Sequence, residues 1–316
     1  MWKQDLKNNQ NIQNILEIYN KSKSDLIFNK SCQSILKKMS SPEFIHSVFE
    51  ANLSDEEFIN KEWKIHEIPY LNVYKDEFID IKIHVFLPSK KEDLKNASHL
   101  IHNHKEFNLN SYIFYGKGYH SIEFDNKIIQ NNDGSVEMKI TKDFFHSNGN
   151  INNVNSWSSH VIFNVPDICA SIVLWSREKT NSKSFVEKLL NLNSNKKKPS
   201  VNQDHYYVKK NKFYPLENSS VNKTHHTNLS VESNELHINA ICYLLQLYNY
   251  NNKIFLDKIL SNSKTPKLWA KYLIDLKNKS LKLTYIDNTL NVFNKSFTID
   301  DVRKSSKQKI FFNLKK

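Results

Sequence analysis

All four glycines of the chain, Gly116, Gly118, Gly134 and Gly149, fall between positions 116 and 149. An average chain of 316 residues would hold about 22. That scarcity excludes collagen, glycine-rich linkers, a P-loop and a GxGxxG dinucleotide fingerprint, all of which need glycines this chain lacks. It also locates the tight turns. Asn132-Asp133-Gly134 is a hairpin signal in which glycine supplies a positive φ, and Gly116-Lys117-Gly118 and Asn148-Gly149 mark two more turns. Strand candidates surround them. Ile79, Ile81, Ile83, Val85 and Leu87 alternate with mostly polar residues, the pattern of a half-buried strand. Shorter candidates follow at Tyr112–Tyr115, His120–Phe124, Lys127–Ile129, Val136–Ile140, His160–Val165 and Cys169–Trp175. Many short strands joined by tight turns predict a β-sandwich or barrel.

The flanking zones read as helical. Ile12, Ile15, Leu16 and Tyr19 recur at helical spacing. Ser41-Pro42-Glu43 reads as an N-cap with proline at the first helical position, and Ser54-Asp55-Glu56-Glu57 as a capping box leading into Phe58–Trp63. Beyond the β zone, Phe185–Leu192 is a short helix candidate and Asn193–Asp204 a solvated loop. Glu235–Tyr248, Lys253–Ser261 and Lys267–Leu276 are amphipathic helices, with Thr265-Pro266 as cap chemistry for the last. The expected organisation is α+β. A helical region spans 1–67, a β-barrel 68–176, and a mainly helical region with a basic tail 177–316.

The net charge of +12 invites a nucleic-acid reading. Yet only Arg177 and Arg303 of the 45 basic residues are arginine, and asparagine is abundant. Lysine and asparagine enrichment with arginine loss is what AT-rich codon usage produces, and lysine cannot copy the arginine fork that reads bases and phosphates. The charge is therefore read as background, with a lysine-rich nucleic-acid-binding protein as an alternative. Cys32, Cys169 and Cys242 are odd in number, far apart and in no CxxC pair, which predicts a reduced, cytoplasmic protein. No apolar run of 18 residues predicts a membrane span, and the first residues lack an apolar leader.

Chemistry concentrates in the histidines. Of 13, seven lie between His84 and His160, inside the β zone. His102-Asn103-His104 places two imidazoles at i and i+2, on one face of an extended segment, where both can reach one ion. A third histidine from an adjacent strand, His160, would complete a facial set with open positions. An HxH pair alone is weak, since exposed loop histidines have the same spacing.

The context is more specific. His102-Asn103-His104 precedes the apolar run Tyr112-Ile113-Phe114-Tyr115 and the turn Gly116-Lys117-Gly118. His160-Val161-Ile162-Phe163-Asn164 precedes a second apolar run ending at Trp175. This pair of segments resembles the two signature elements of the cupin superfamily, and within it the cysteine dioxygenase type of thiol dioxygenases. The resemblance covers about residues 78–176. It implies a double-stranded β-helix in which His102, His104 and His160 bind Fe(II), with substrate and O₂ in the remaining positions. The glutamate ligand of many cupins has no clear counterpart, and Glu106 stands as an outlying alternative. The substrate-carboxylate arginine of the thiol dioxygenases is missing before Arg177 as well. Arg177 on the far side of the sequence, or Lys82 or His84 on the preceding strand, would have to replace it.

Other candidates carry two readings each. His120 follows the glycine turn and is either a pocket acid/base or a hydrogen-bonded structural histidine. Tyr112, Tyr115 and Tyr119 are core or rim aromatics, or one of them, Tyr115 first, donates a hydrogen bond to O₂ or substrate. Trp175, with Arg177 and His84, is a substrate-binding candidate. His225-His226 with His237 is read as surface histidines rather than a second metal site, and Cys169 and Cys242 as buried hydrophobes. The expectation is a cytoplasmic cupin-type Fe(II) oxygenase acting on a small polar, thiol- or amino-acid-like substrate, with a homodimer as one use of the helical extensions. A non-catalytic cupin-like binding or regulatory module is the alternative.

Overall fold

The computed structural model describes residues 6–63, 67–179, 203–216, 229–284 and 296–306, and every structural statement below concerns these. The candidates Phe185–Leu192, His225 and His226, with most of Asn193–Asp204 and the tail past residue 306, lie outside them.

Four helices open the described chain: α1 Gln10–Lys21, α2 Asp25–Lys38, α3 Pro42–Leu53 and the short α4 Glu56–Ile59. Ser41 caps α3 as expected, its Oγ accepting from Phe44 N–H at 3.3 Å. At α4 the cap is Asp55 rather than Ser54, accepting from Glu57 N–H at 3.0 Å, and the helix stops at Ile59, short of Trp63. The strands follow: β1 Tyr70–Lys75, β2 Ile79–Phe86, β3 Ile101–Asn103, β4 Phe107–Tyr115, β5 Gly118–Phe124, β6 Ile129–Gln130, β7 Val136–Glu137, β8 Ile140–Ser147, β9 Ile151–Val154, β10 His160–Ile162 and β11 Cys169–Arg177. Two more, β12 Asp204–Lys209 and β13 Lys212–Leu216, lie in the stretch expected to be mainly helical. Helices α5 Leu229–Leu247, α6 Lys253–Leu260, α7 Lys267–Lys277 and α8 Ile299–Ser305 complete the described chain. Thr265 does not cap α7; its hydroxyl donates to Ile259 O at 2.6 Å, and Pro266 holds the cap position.

The strands form two antiparallel sheets, ordered β1-β2-β11-β4-β9 and β6-β7-β13-β12-β3-β10-β5-β8. Their pairing is nested. β5 pairs with β8, β4 with β9, β3 with β10 and β2 with β11, so each pair encloses the one before it in sequence. A single long antiparallel ribbon, folded back and coiled so that successive pairs alternate between the two sheets, has this connectivity. It is the double-stranded β-helix, a jelly-roll architecture, and the α+β expectation with a central antiparallel barrel holds.

Two glycines make the ribbon's first turns possible. A Cβ on Gly116 would stand 2.2 Å from Ile168 O and one on Gly118 2.0 Å from His146 O, and both residues have positive φ. The Asn132-Asp133-Gly134 turn joins β6 to β7, with Asn131 N–H donating to Ser135 O at 2.8 Å.

The alternation in β2 has a different meaning from a half-solvated strand. Ile79, Ile81, Ile83 and Val85 are fully buried in the large core shared with the helices, together with Ile172 and Leu174 of β11. The alternate residues Asp80, Lys82 and His84 face the other sheet instead of water. His84 packs on Trp175 of β11 at 5.4 Å between ring centroids. The polar face of this strand thus lines the barrel. One end of the barrel is plugged by Phe86, Ile113, Tyr119, Ile162, Val165 and Cys169. The outer face of the second sheet is covered by an apolar layer that includes Ile122, Phe124, Phe213 and Val302 of α8.

Candidate metal centre

Cross-strand register assembles the histidines. His205 of β12 stands opposite His102 of β3, His102 opposite His160 of β10, and His160 opposite Glu123 of β5. Directly opposed residues share a face, so three imidazoles lie in one row across three strands. His104, two residues beyond His102, returns to the same face. Ring centroids are 4.4 Å apart for His102 and His160, 4.9 Å for His102 and His104, 5.0 Å for His104 and His160, and 6.0 Å for His102 and His205. His99, just before β3, stands 4.8 Å from His102. Trp175 closes the cluster from the first sheet, 5.6 Å from His104.

The ligand atoms of His99, His102 and His160 lie within 4.8 Å of one another. Hydrogen bonds fix which nitrogens are free. His102 Nδ1 lies 3.0 Å from Leu100 O, a group that only accepts, so Nδ1 holds the proton and Nε2 the lone pair. Ser98 Oγ–H donates to Ile162 O at 2.9 Å, so His99 Nδ1, 2.8 Å from the same hydroxyl, must be the donor there. Its Nε2 is left with a lone pair. His160 Nδ1 is buried without a hydrogen-bond partner, and so is His104 Nε2. Gln203 governs His104. An amide N–H donated to Nδ1, 3.3 Å away, puts the ring hydrogen on Nε2, whereas the amide turned by 180° accepts from Nδ1 and frees Nε2 as a ligand.

Burial keeps these rings neutral. His102 is 7%, His104 3% and His160 3% exposed. Burial, with His205 nearby, draws the His102 pKa down to about 4, and burial with Lys82 nearby draws His84 to about 3. His99, His104 and His160 fall well below 6.5 for the same first reason, burial, reinforced by the neighbouring imidazoles. Neutral imidazoles, each with a ring nitrogen that makes no hydrogen bond, fit a divalent first-row transition ion.

The remaining expected residues are dispersed. Glu106 does not turn toward the imidazoles. Both its carboxylate oxygens accept from Arg177 Nη2, at 2.9 and 3.0 Å, and Arg177 ends β11 two residues past Trp175. Glu106 thus occupies Nη2 of Arg177, whose side chain is 33% exposed. His120 lies on the outer face of the second sheet, its Nε2 2.6 Å from Asp143 Oδ1, and Arg303 of α8 donates to the same carboxylate at 2.7 and 3.0 Å. One residue of register separates it from the inward Tyr119 and Ser121, and that single step turns it outward. Tyr115 faces the helices and packs on Tyr248 at 5.9 Å, near the plugged end of the barrel. His237 has carbonyl oxygens at both ring nitrogens, Ser233 O at 2.6 Å and Glu67 O at 2.7 Å, so neither nitrogen is open to a metal. The three cysteines are free and buried.

Sequence reasoning missed His99 and His205. His99 lies in His99-Leu100-Ile101-His102, whose three-residue spacing matches a helix rather than the two-residue repeat of a strand, and the chain before β3 begins is neither. His205 is separated from the others by more than 40 residues and reaches them only because β12 joins the edge of β3. Among the described residues no helix is long and apolar enough to cross a membrane.

No family model and no curated protein matches the chain. Among solved structures it is similar to an uncharacterized conserved protein with a double-stranded β-helix domain from Klebsiella pneumoniae, at 12% identity over 36% of this chain and 81% of that one, with a TM-score of 0.24. KdgF from Halomonas sp. aligns at 12% identity over 37% of this chain and 89% of its own, with a TM-score of 0.25. Salicylate 1,2-dioxygenase from Pseudaminobacter salicylatoxidans aligns at 15% identity over 33% of this chain, with a TM-score of 0.23, and the chain spans only 23% of that enzyme. The fold assignment rests on the nested strand pairing.

Proposed function

We propose that the protein is a non-haem Fe(II)-dependent oxygenase acting on a small polar molecule inside the barrel. The observation that carries this reading is the convergence of His99, His102 and His160 on one point within a water-poor interior. When bound, Fe(II) supplies oxygen activation and leaves positions for substrate and O₂. His102 and His160, facing each other across β3 and β10, are the invariant part of the ligand set. His99 or His104 completes it, according to the orientation of the Gln203 amide. The protein's own contribution is placement. Leu100 O and Ser98 orient two of the rings by hydrogen bonding, as outer-shell partners of metal-bound histidines do. His84 and Trp175 form the opposing floor on which substrate would rest. Tyr115 and His120, turned away from the imidazoles, take no direct part.

Metal analysis of protein purified without chelator tests the reading. Near-stoichiometric iron that is lost in His102→Ala and His160→Ala supports it. Metal-free protein that stays folded and gains no activity with added Fe(II) favours the binding-module alternative.

A further inference from the structure

Six described residues other than glycine have positive φ: Lys105, Trp157, Lys210, Asn211, Asn249 and Lys279. Four have ordinary reasons. Lys210 and Asn211 form the two-residue turn of the β12–β13 hairpin, and Asn249 and Lys279 follow the ends of α5 and α7, where left-handed residues are common. Lys105 and Trp157 remain, at φ 51° and 63°, and they are bonded to each other: Trp157 N–H donates to Lys105 O at 2.7 Å. Each adjoins a candidate ligand. Lys105 directly follows His104, and Trp157 stands three residues before His160.

A left-handed tryptophan is a backbone outlier, because a bulky side chain meets its own carbonyl there. Ser158 N–H donates to Asn155 O at 3.2 Å, so Trp157 holds the third position of a tight turn, where glycine or asparagine belongs. Packing does not repay the strain, since Trp157 is 46% exposed. Strain at a half-exposed residue bonded to the segment that carries His104 points to a role in function.

The surroundings define what the indole would meet. The charges nearby are matched: Lys105 Nζ lies 3.2 Å from Asp204 Oδ1, and Arg177 is held by Glu106. A cationic ligand would meet the Lys105 ammonium. Phe107, Leu109, Val154, Val173 and Trp175 make a separate apolar cluster on the first sheet. Within it Trp175 Nε1–H is buried and has no acceptor.

We propose that Trp157 contacts the substrate, its exposed indole recognising a flat, uncharged ring that carries a hydrogen-bond acceptor. The proposal rests on the barrel interior being the reaction chamber and narrows the small polar substrate to one built on a ring. Aromatic side chains stack on such rings in offset or edge-on geometry, and a half-exposed position lets Trp157 select before the substrate reaches the imidazoles.

The test uses benzamide as the ring probe and acetamide as its ring-free control, on the full chain with metal content measured on the same samples. Binding is read by saturation-transfer NMR and tryptophan emission. Wild type should bind benzamide and not acetamide. In Trp157→Gly the affinity should fall at least tenfold, metal content should stay unchanged, and Tm should hold or rise by about 2 °C as the strain is released. Trp157→Phe should retain most of the binding. Benzamide binding that survives in Trp157→Gly overturns the proposal, as does a wild type with full metal that ignores benzamide. A fall in Tm for Trp157→Gly also overturns it, by making Trp157 structural. Wild type that binds benzamide without holding metal would sink the iron centre and leave the ring site standing.

Discussion

Lowering the pH of the metal-free protein should destabilise it well before its carboxylates titrate. His102, His104 and His160 are each less than a tenth exposed, and burial depresses all three pKa values, that of His102 to about 4. The unfolded chain protonates its histidines near 6.5. Below that pH the unfolded state binds protons that the folded state refuses, so the stability is fully present above 6.5 and is lost as pH falls toward the folded values. For one such group the loss between pH 7.5 and 5.5 is about 1.4 kcal/mol, and for three about 4 kcal/mol. Total stabilities are about 5–15 kcal/mol, so this is a large fraction. With an m-value near 3 kcal/mol/M the urea midpoint should drop by roughly 1.5 M. Asp143, held near 2 against its own burial by hydrogen bonds to His120 and Arg303, titrates below this window and does not obscure it. The assay is urea unfolding followed by circular dichroism at pH 7.5, 6.5 and 5.5, with chelator present. A midpoint that is the same at pH 7.5 and 5.5 would refute the view that these imidazoles are buried and neutral.

Other substitutions separate the parts of the site. Asp143→Asn should destabilise the fold by about 2 kcal/mol, because it removes the carboxylate charge that His120 and Arg303 share, while metal content stays at the wild-type level; loss of metal would return His120 to the site. Gln203→Glu should hold a hydrogen on His104 Nδ1 and free Nε2; isothermal titration with Co(II) should then give affinity at least equal to wild type, and weaker binding would contradict the tautomer assignment. Gly118→Ala should fail to fold or lose several kcal/mol, since the added carbon meets His146 O at 2.0 Å. Gly134→Ala, with open space at φ +78°, should lose only about 1 kcal/mol in the same denaturation series.

Where local chemistry sets local structure, the sequence was readable. The Ser41-Pro42 cap, the Gly134 hairpin and the β2 and β11 strands all formed as their residues predict. The errors share one physical origin. Alternation in β2 reports two different environments but cannot say that the polar one is a barrel lumen instead of solvent, and that difference is decided by strands more than 90 residues away. The same holds for the ligand set. His102, His104 and His160 fall on one face because extended chain has a two-residue repeat, whereas His205 joins them through pairing at a sheet edge that no local pattern encodes. Helix α2, with an apolar stripe of Phe28, Cys32, Ile35 and Leu36 and a Ser24 cap, falls within the N-terminal region expected to be helical. For His120, of the two readings the sequence left open, the geometry matches the hydrogen-bonded structural one.

The nested pairing also dictates an order of assembly. β5 and β8 are the closest in sequence of the four paired sets, so loop closure favours them first, followed by β4 with β9, β3 with β10 and finally β2 with β11. His102 meets His160 only at the third of these steps. A nascent chain therefore exposes unpaired imidazoles throughout synthesis of the barrel and gains a metal-competent chamber only near the end. Metal supplied during refolding should accordingly leave the early rate constants alone and slow unfolding.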